Sequence, residues 1–168
     1  VAPYALHPNG MTKGATRVPS EVEKEIYAHG ISVVEVKRST GNDMVMVRGS
    51  RFNRRVTSAT EMVFTGPVKG NALVKTKFSP DGLKTRGTNN NCANGYTPWG
   101  TYLTCEENFN GYFGSTDAAL VLPEGFGRYG IGLEGGYGYE KFDPRFDIAT
   151  TPNEPNRFGY VVEINPAD

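Results

Sequence analysis

No stretch of this chain carries a sustained 3.6-residue apolar period, and that constrains the fold more than any motif does. Without an apolar stripe a helix has no face to bury. The sequence offers instead short β-branched or aromatic runs separated by turn residues. Its 21 Gly and 11 Pro would suit a disordered chain if aromatics were scarce, but nine Tyr and nine Phe accompany them. The composition therefore predicts many turns between short buried strands. That is a mainly β chain, for which a sandwich, barrel or propeller is the suitable architecture. No internal repeat selects among these.

The predicted elements follow the punctuation. Residues 1–30 read as a loop-like N-terminal extension, broken by Pro3, Pro8, Gly10, Gly14 and Pro19. Ser20 with Glu23 has the form of a capping box and predicts a short helical turn over 21–27. Residues 31–36 and 44–48 are expected to pair as a hairpin across Gly41-Asn42-Asp43, and 73–78 alternate like a further strand. Residues 87–100 predict a long Asn-rich polar loop, 101–106 a strand, 113–138 an irregular Gly-rich stretch, 143–156 another loop and 158–164 the last strand.

Lys plus Arg and Asp plus Glu both number 18, so the net charge is zero. That removes the electrostatic case for nucleic acid and for an anionic membrane surface. No apolar run is long enough to span a bilayer. Two cysteines do not make a disulfide scaffold. Val1 is not an initiator Met and no signal sequence follows it, while the apolar run at 161–164 sits almost at the other end. A strand there needs partners, so the expectation is a piece of something longer.

One constellation carries chemistry. An Asn-rich loop holding Cys92 runs into a strand that ends in Glu106-Glu107. Strand alternation puts Leu103, Cys105 and Glu107 on one face and Tyr102, Thr104 and Glu106 on the other. Carboxylates suit hard cations such as calcium; a thiolate suits a transition metal. A mixed set suggests more than one metal type. Other readings stay open: Cys92 and Cys105 could form a disulfide or be inert buried thiols, and paired glutamates at a strand end are often plain surface charge. A tetrahedral zinc site lacks its ligands. Gly130 to Gly135 matches a dinucleotide fingerprint only formally, because no strand precedes it and no helix follows. His7 and His29 read as incidental. Asn53-Arg54-Arg55 could fork a phosphate or be ordinary surface or interdomain charge.

The stretch from Gly87 to Asn108, centred on Asn91-Cys92-Ala93 and Cys105-Glu106-Glu107, resembles the signature of PhoX-type alkaline phosphatases. Asn53-Arg54-Arg55 with Thr65-Gly66-Pro67, Asp143 to Asp147, and Asn153 to Glu163 extend the resemblance; residues 1–28 share little of it. The resemblance implies that residues 31–168 are part of a β-propeller, whose remainder lies on the same or another chain. It implies an exported enzyme, periplasmic or extracellular, serving phosphate acquisition by hydrolysing phosphate monoesters with iron and calcium ions. Cys92 would bind iron, Glu107 more than Glu106 would bind metal, and Glu163 would join them; Cys105 would be packed. The family's upstream Asn-His-Glu-Tyr stretch is absent, and its later carboxylates and phosphate-binding arginines lie beyond Asp168. The site is therefore expected to be incomplete and the chain inactive alone. A non-catalytic calcium-binding propeller scaffold and a phosphodiesterase on the same fold are the alternatives.

Overall fold

Strands of three residues cannot hold a chain together by their ladders, and most strands here are that short. The structure, a computed structural model, describes residues 6–7 and 16–168. It places β1 (Ile31–Val33) against β4 (Arg54–Val56), β2 (Val36–Arg38) against β3 (Met44–Met46), and β5 (Glu61–Val63) against β6 (Lys84–Arg86), each pair antiparallel. A larger antiparallel sheet has the order β7 (Asn91–Tyr96), β8 (Tyr102–Glu106), β9 (Val161–Ile164). The mainly β expectation holds.

Much of the loop expected over residues 1–19 lies outside the described residues. Within the expected extension, Pro19–Ala28 is a helix, α1. It opens one residue before Ser20, because Pro19 occupies the first turn, where its missing N–H costs nothing. Val18 takes the cap position with no side-chain cap, so the Ser20–Glu23 box does not form. Val22 and Ile26, one turn apart, are buried. The helix stops at Gly30, whose φ of +97° places its Cα against the Val56 carbonyl, where a Cβ would collide. Arg55 donates to the carbonyls of Ala28 (3.1 Å) and His29 (3.0 Å), groups that a helix end leaves unpaired. Arg54 donates to the carbonyls of Asn165 and Pro166. The basic pair is thus spent on backbone.

Three strand expectations change. The hairpin exists only in its outer half, β2–β3; β1 turns away to β4 because Asn53 Oδ1 accepts the Glu35 N–H (2.8 Å) at the joint. Residues 73–78 are not a strand. Asn71 caps a 3₁₀ turn at Ala72–Val74, and the carbonyls of residues 72–75 accept from Asn153, Asn156 and Arg157 instead of a ladder. The Asn-rich loop is in part strand β7, since its backbone finds a partner in β8 that propensity does not reveal.

The core is largely aromatic and comes from residues outside the strands. Phe113 packs on Phe146 and Phe158 (ring centroids 5.5 Å apart in both cases), and Tyr139 packs on Phe146 at 5.2 Å. Val22 and Ile26 of α1 close this cluster. Such rings bring large apolar area without needing regular structure. Beside them, Glu154 (1% exposed) lies between two buried guanidinium groups. Arg145 Nε reaches its Oε1 at 2.5 Å and Arg157 Nε its Oε2 at 3.4 Å. Among the described residues, no helix is long and apolar enough to cross a membrane.

Two outcomes are expected. Glu154→Gln leaves two buried cations without their counter-charge and should destabilise the fold by about 3–5 kcal/mol in urea titration. Glu140 is 5% exposed and its Oε2 has no hydrogen-bond partner; burial, above all, holds its carboxyl above the ordinary range. A raised folded value means stability present below the unfolded pKa and lost as pH rises through the folded one. Glu140→Gln should therefore be close to neutral near pH ~4 and stabilising near pH ~8; equal effects at both pH values would contradict the assignment.

Candidate functional site

The hairpin β7–β8 is closed by Thr97 to Thr101, where the Thr97 N–H meets the Thr101 carbonyl at 2.9 Å. Its register starts as Tyr96↔Tyr102 and reaches Asn94↔Thr104. Continued unbroken, that register would set Cys92 opposite Glu106. It shifts instead, to Asn91↔Glu106, so Cys92 and Ala93 together face the single residue Cys105. This is a β-bulge, one extra residue that re-aims side chains. Its result is to turn Cys92 to the face of Cys105 and Glu107. Cys92 stands beside Glu107, whose carboxylate holds the thiol above its usual pKa, first through their side-chain interaction and second by repelling the thiolate. The two side chains are exposed. Cys92 and Cys105 are both free thiols, Cys92 exposed and Cys105 half-buried.

Glu106 points the other way. Its Oε1 accepts from the Asn89 N–H (3.1 Å), and its Oε2 from those of Gly159 (2.8 Å) and Tyr160 (3.2 Å). Burial pushes its carboxyl up against the pull of these amides. It ties the loop before β7 to the chain entering β9. Gly87 begins that loop at φ +65°, packed so close on Ser58 that a Cβ would overlap its backbone.

Glu163 lies on β9 opposite Leu103, on the Cys105 face but a strand beyond Cys92. Its Oε1 accepts from Trp99 Nε1 (2.8 Å) and Thr101 Oγ1 (2.5 Å), and these two bonds hold its carboxyl below the usual range. Trp99 is pinned while 72% exposed. Sequence reasoning missed this grip, because nothing local links residues 64 apart. So of the four expected ligands the structure joins Cys92 with Glu107, sets Glu106 behind them and leaves Glu163 to one side. Among the described residues, no three His, Cys, Asp or Glu side chains gather closely enough to hold a metal ion. A thiol and a carboxylate side by side on an open face fit part of a metal's coordination, soft donor and hard donor together.

The histidines have structural places. His7 Nε2 meets Glu25 Oε1 at 2.8 Å in a buried setting. His29 packs edge-on against Tyr112 and is pushed down to about 4, chiefly by burial. The Gly130 stretch has neither strand before nor helix after it.

A family model described as alkaline phosphatase PhoX matches residues 5–168. No curated protein sequence matches significantly. Among solved structures the chain is similar to Pseudomonas fluorescens PhoX in complex with vanadate, a transition state analogue, at 43% identity and a TM-score of 0.91. The match covers 100% of this chain and 28% of that one.

The two adjacent glutamates should respond differently. Glu106→Gln turns an amide against backbone N–H donors and is expected to cost about 2 kcal/mol of stability. Glu107→Gln, exposed, should stay within about 0.5 kcal/mol. Urea unfolding of both variants checks this, and equal losses would refute the division of roles.

Proposed function

The chain belongs to the PhoX alkaline phosphatase family, and from that premise we propose that it supplies part of the active site of an enzyme hydrolysing phosphate monoesters to inorganic phosphate. The observation that carries this reading is the fit of the whole chain on a PhoX structure that binds vanadate. Vanadate stands for a phosphoryl group in transfer, whose charge spreads over its equatorial oxygens. A site for it must present concentrated positive charge. This chain spans 28% of that relative, so the small sheets are read as pieces of propeller blades that the remainder of the parent, on the same or another chain, would complete. Alone the chain is expected to be inactive.

In this reading Cys92 and Glu107 hold iron, the thiolate selecting a transition metal over calcium. Glu163 has its Oε1 occupied by Trp99 and Thr101, which leaves Oε2 as an oxygen donor suited to calcium. Glu106 acts from the opposite face, fixing the loop and strand that carry Cys92. The metal ions would supply positive charge against the phosphoryl oxygens. The chain's own contribution is position: the bulge aims Cys92, the ladder holds Glu107 beside it, and the exposed face leaves the phosphoryl group access. The exposed thiol favours this over a calcium scaffold, which has no use for sulfur. Export to the periplasm or the exterior, in the service of phosphate acquisition, completes the reading.

The test is metal analysis together with hydrolysis of an aryl phosphate by the longer protein that contains this chain. Cys92→Ala is expected to lose iron and to lower turnover by about 100-fold or more, since even residues behind a metal ligand cost ~10–100-fold. A variant with full iron and full activity would sink the assignment.

A further inference from the structure

The arginine cluster beside Glu154, two of its members buried and Arg86 half-buried, is out of balance. Arg86, Arg145 and Arg157 lie together, and Glu154 pairs with the last two. Among the described residues no ion pair reaches Arg86. Its Nε–H is buried without a hydrogen-bond partner, and its guanidinium rests over the Phe78 ring, 4.5 Å from the centroid. The Arg86 carbonyl is used, accepting from Arg145, so the residue is fixed by its backbone and ring contact while its charge is not answered.

Arg86 lines a cleft of about 800 Å³ between residues 75–78 and 143–154. Lys75 and Lys77 stand exposed on its rim. Thr76 accepts from Arg157 Nη1 at 2.6 Å and keeps its own hydroxyl proton to give. The acidic groups lining the cleft are Asp143, which accepts the Arg145 N–H at 2.9 Å, and the already paired Glu154. The lining therefore carries more positive than negative charge, and it shares no residue with the Cys92–Glu107 face.

We propose that this cleft binds a phosphoryl dianion, as inorganic phosphate or as a phosphate monoester, with Arg86 as its anchor and Lys75, Lys77 and Thr76 around it. A planar guanidinium matches paired oxyanion oxygens. Two further ammonium groups favour a dianion over a carboxylate. The volume leaves room for the organic part of an ester.

Calorimetric titration of the chelator-treated longer protein that contains this chain, with inorganic phosphate, tests this without reference to any metal. Saturable binding is expected, weakened about 10-fold by Arg86→Met and about 3-fold by Lys77→Gln, each 1.4 kcal/mol being a tenfold change. Cys92→Ser should leave it unchanged, which separates this site from the metal reading. Lys77 is exposed, so its substitution tests the cleft even where Arg86→Met fails to fold. Absence of binding at ~10 mM phosphate, binding that Lys77→Gln leaves intact, or acetate binding as tightly as phosphate would overturn the proposal. Glucose 6-phosphate in place of phosphate reads whether an ester is accepted, and weaker binding of it would restrict the ligand to the free ion.

Discussion

The carboxylate of Glu154 stands where the loops of this protein meet. Through it, Arg145 and Arg157 are held in the interior, and each also donates to distant backbone carbonyls. Arg145 takes the carbonyl of Ser58 at 2.5 Å and that of Arg86. Arg157 takes the carbonyls of Val74 (3.1 Å) and Lys84. Loops with no strand partner thereby satisfy polar groups that would otherwise be costly to bury. A neutral residue in place of Glu154 would leave both guanidinium groups unbalanced, so the cost of losing it is greater than that of any single hydrogen bond.

The candidate site inherits its geometry from this frame. Glu106 takes the amides of Asn89, Gly159 and Tyr160, and Gly159 follows Arg157 by two residues. The buried ion pair thus fixes the segment that Glu106 fastens, and Glu106 fixes the start of β7. Only then does the bulge at Cys92 and Ala93 have a defined place. The chain of dependence runs from a buried charge to loop, to strand register and to one exposed thiol. Loops that carry function on a rigid base are the usual arrangement. Here the base is made of side chains as much as of sheet.

What could be read from the sequence follows the range of the signals. Period-2 alternation is local, so the opposite facing of Glu106 and Glu107 was legible, as was the β character of the chain. The strand role of Asn91–Tyr96 was not, because Asn and Gly disfavour strands and the pairing with β8 overrides that preference. Leu73 to Phe78 misled in the opposite sense: Val74 is buried and Leu73 is exposed, as in a strand, but side chains from residues 153–157 occupy its carbonyls. The helix at Pro19–Ala28 was read only as a turn, since two apolar residues, Val22 and Ile26, are all it needs to dock on an aromatic cluster. Cys92, Glu106 and Glu107 were legible as candidates through resemblance. The grip of Trp99 and Thr101 on Glu163 was not legible at all, for it depends on β9 lying beside β8.

The bulge shows why a motif and a geometry are different kinds of knowledge. The hairpin turn at 97–101 sets a register that, carried to Cys92, would put its thiol behind the sheet with Glu106. A soft donor there would meet a carboxylate already taken up by three amides. One extra residue reverses this and sets the thiol against Glu107, whose side chain is exposed. Nothing in the residue types of Asn91-Cys92-Ala93-Asn94 announces the shift. It arises because the two ends of the strand are fixed independently, one by the tight turn and the other by Glu107 N–H on the Asn90 carbonyl at 3.1 Å. Between those anchors the longer strand must absorb one residue, and it does so at Cys92 and Ala93.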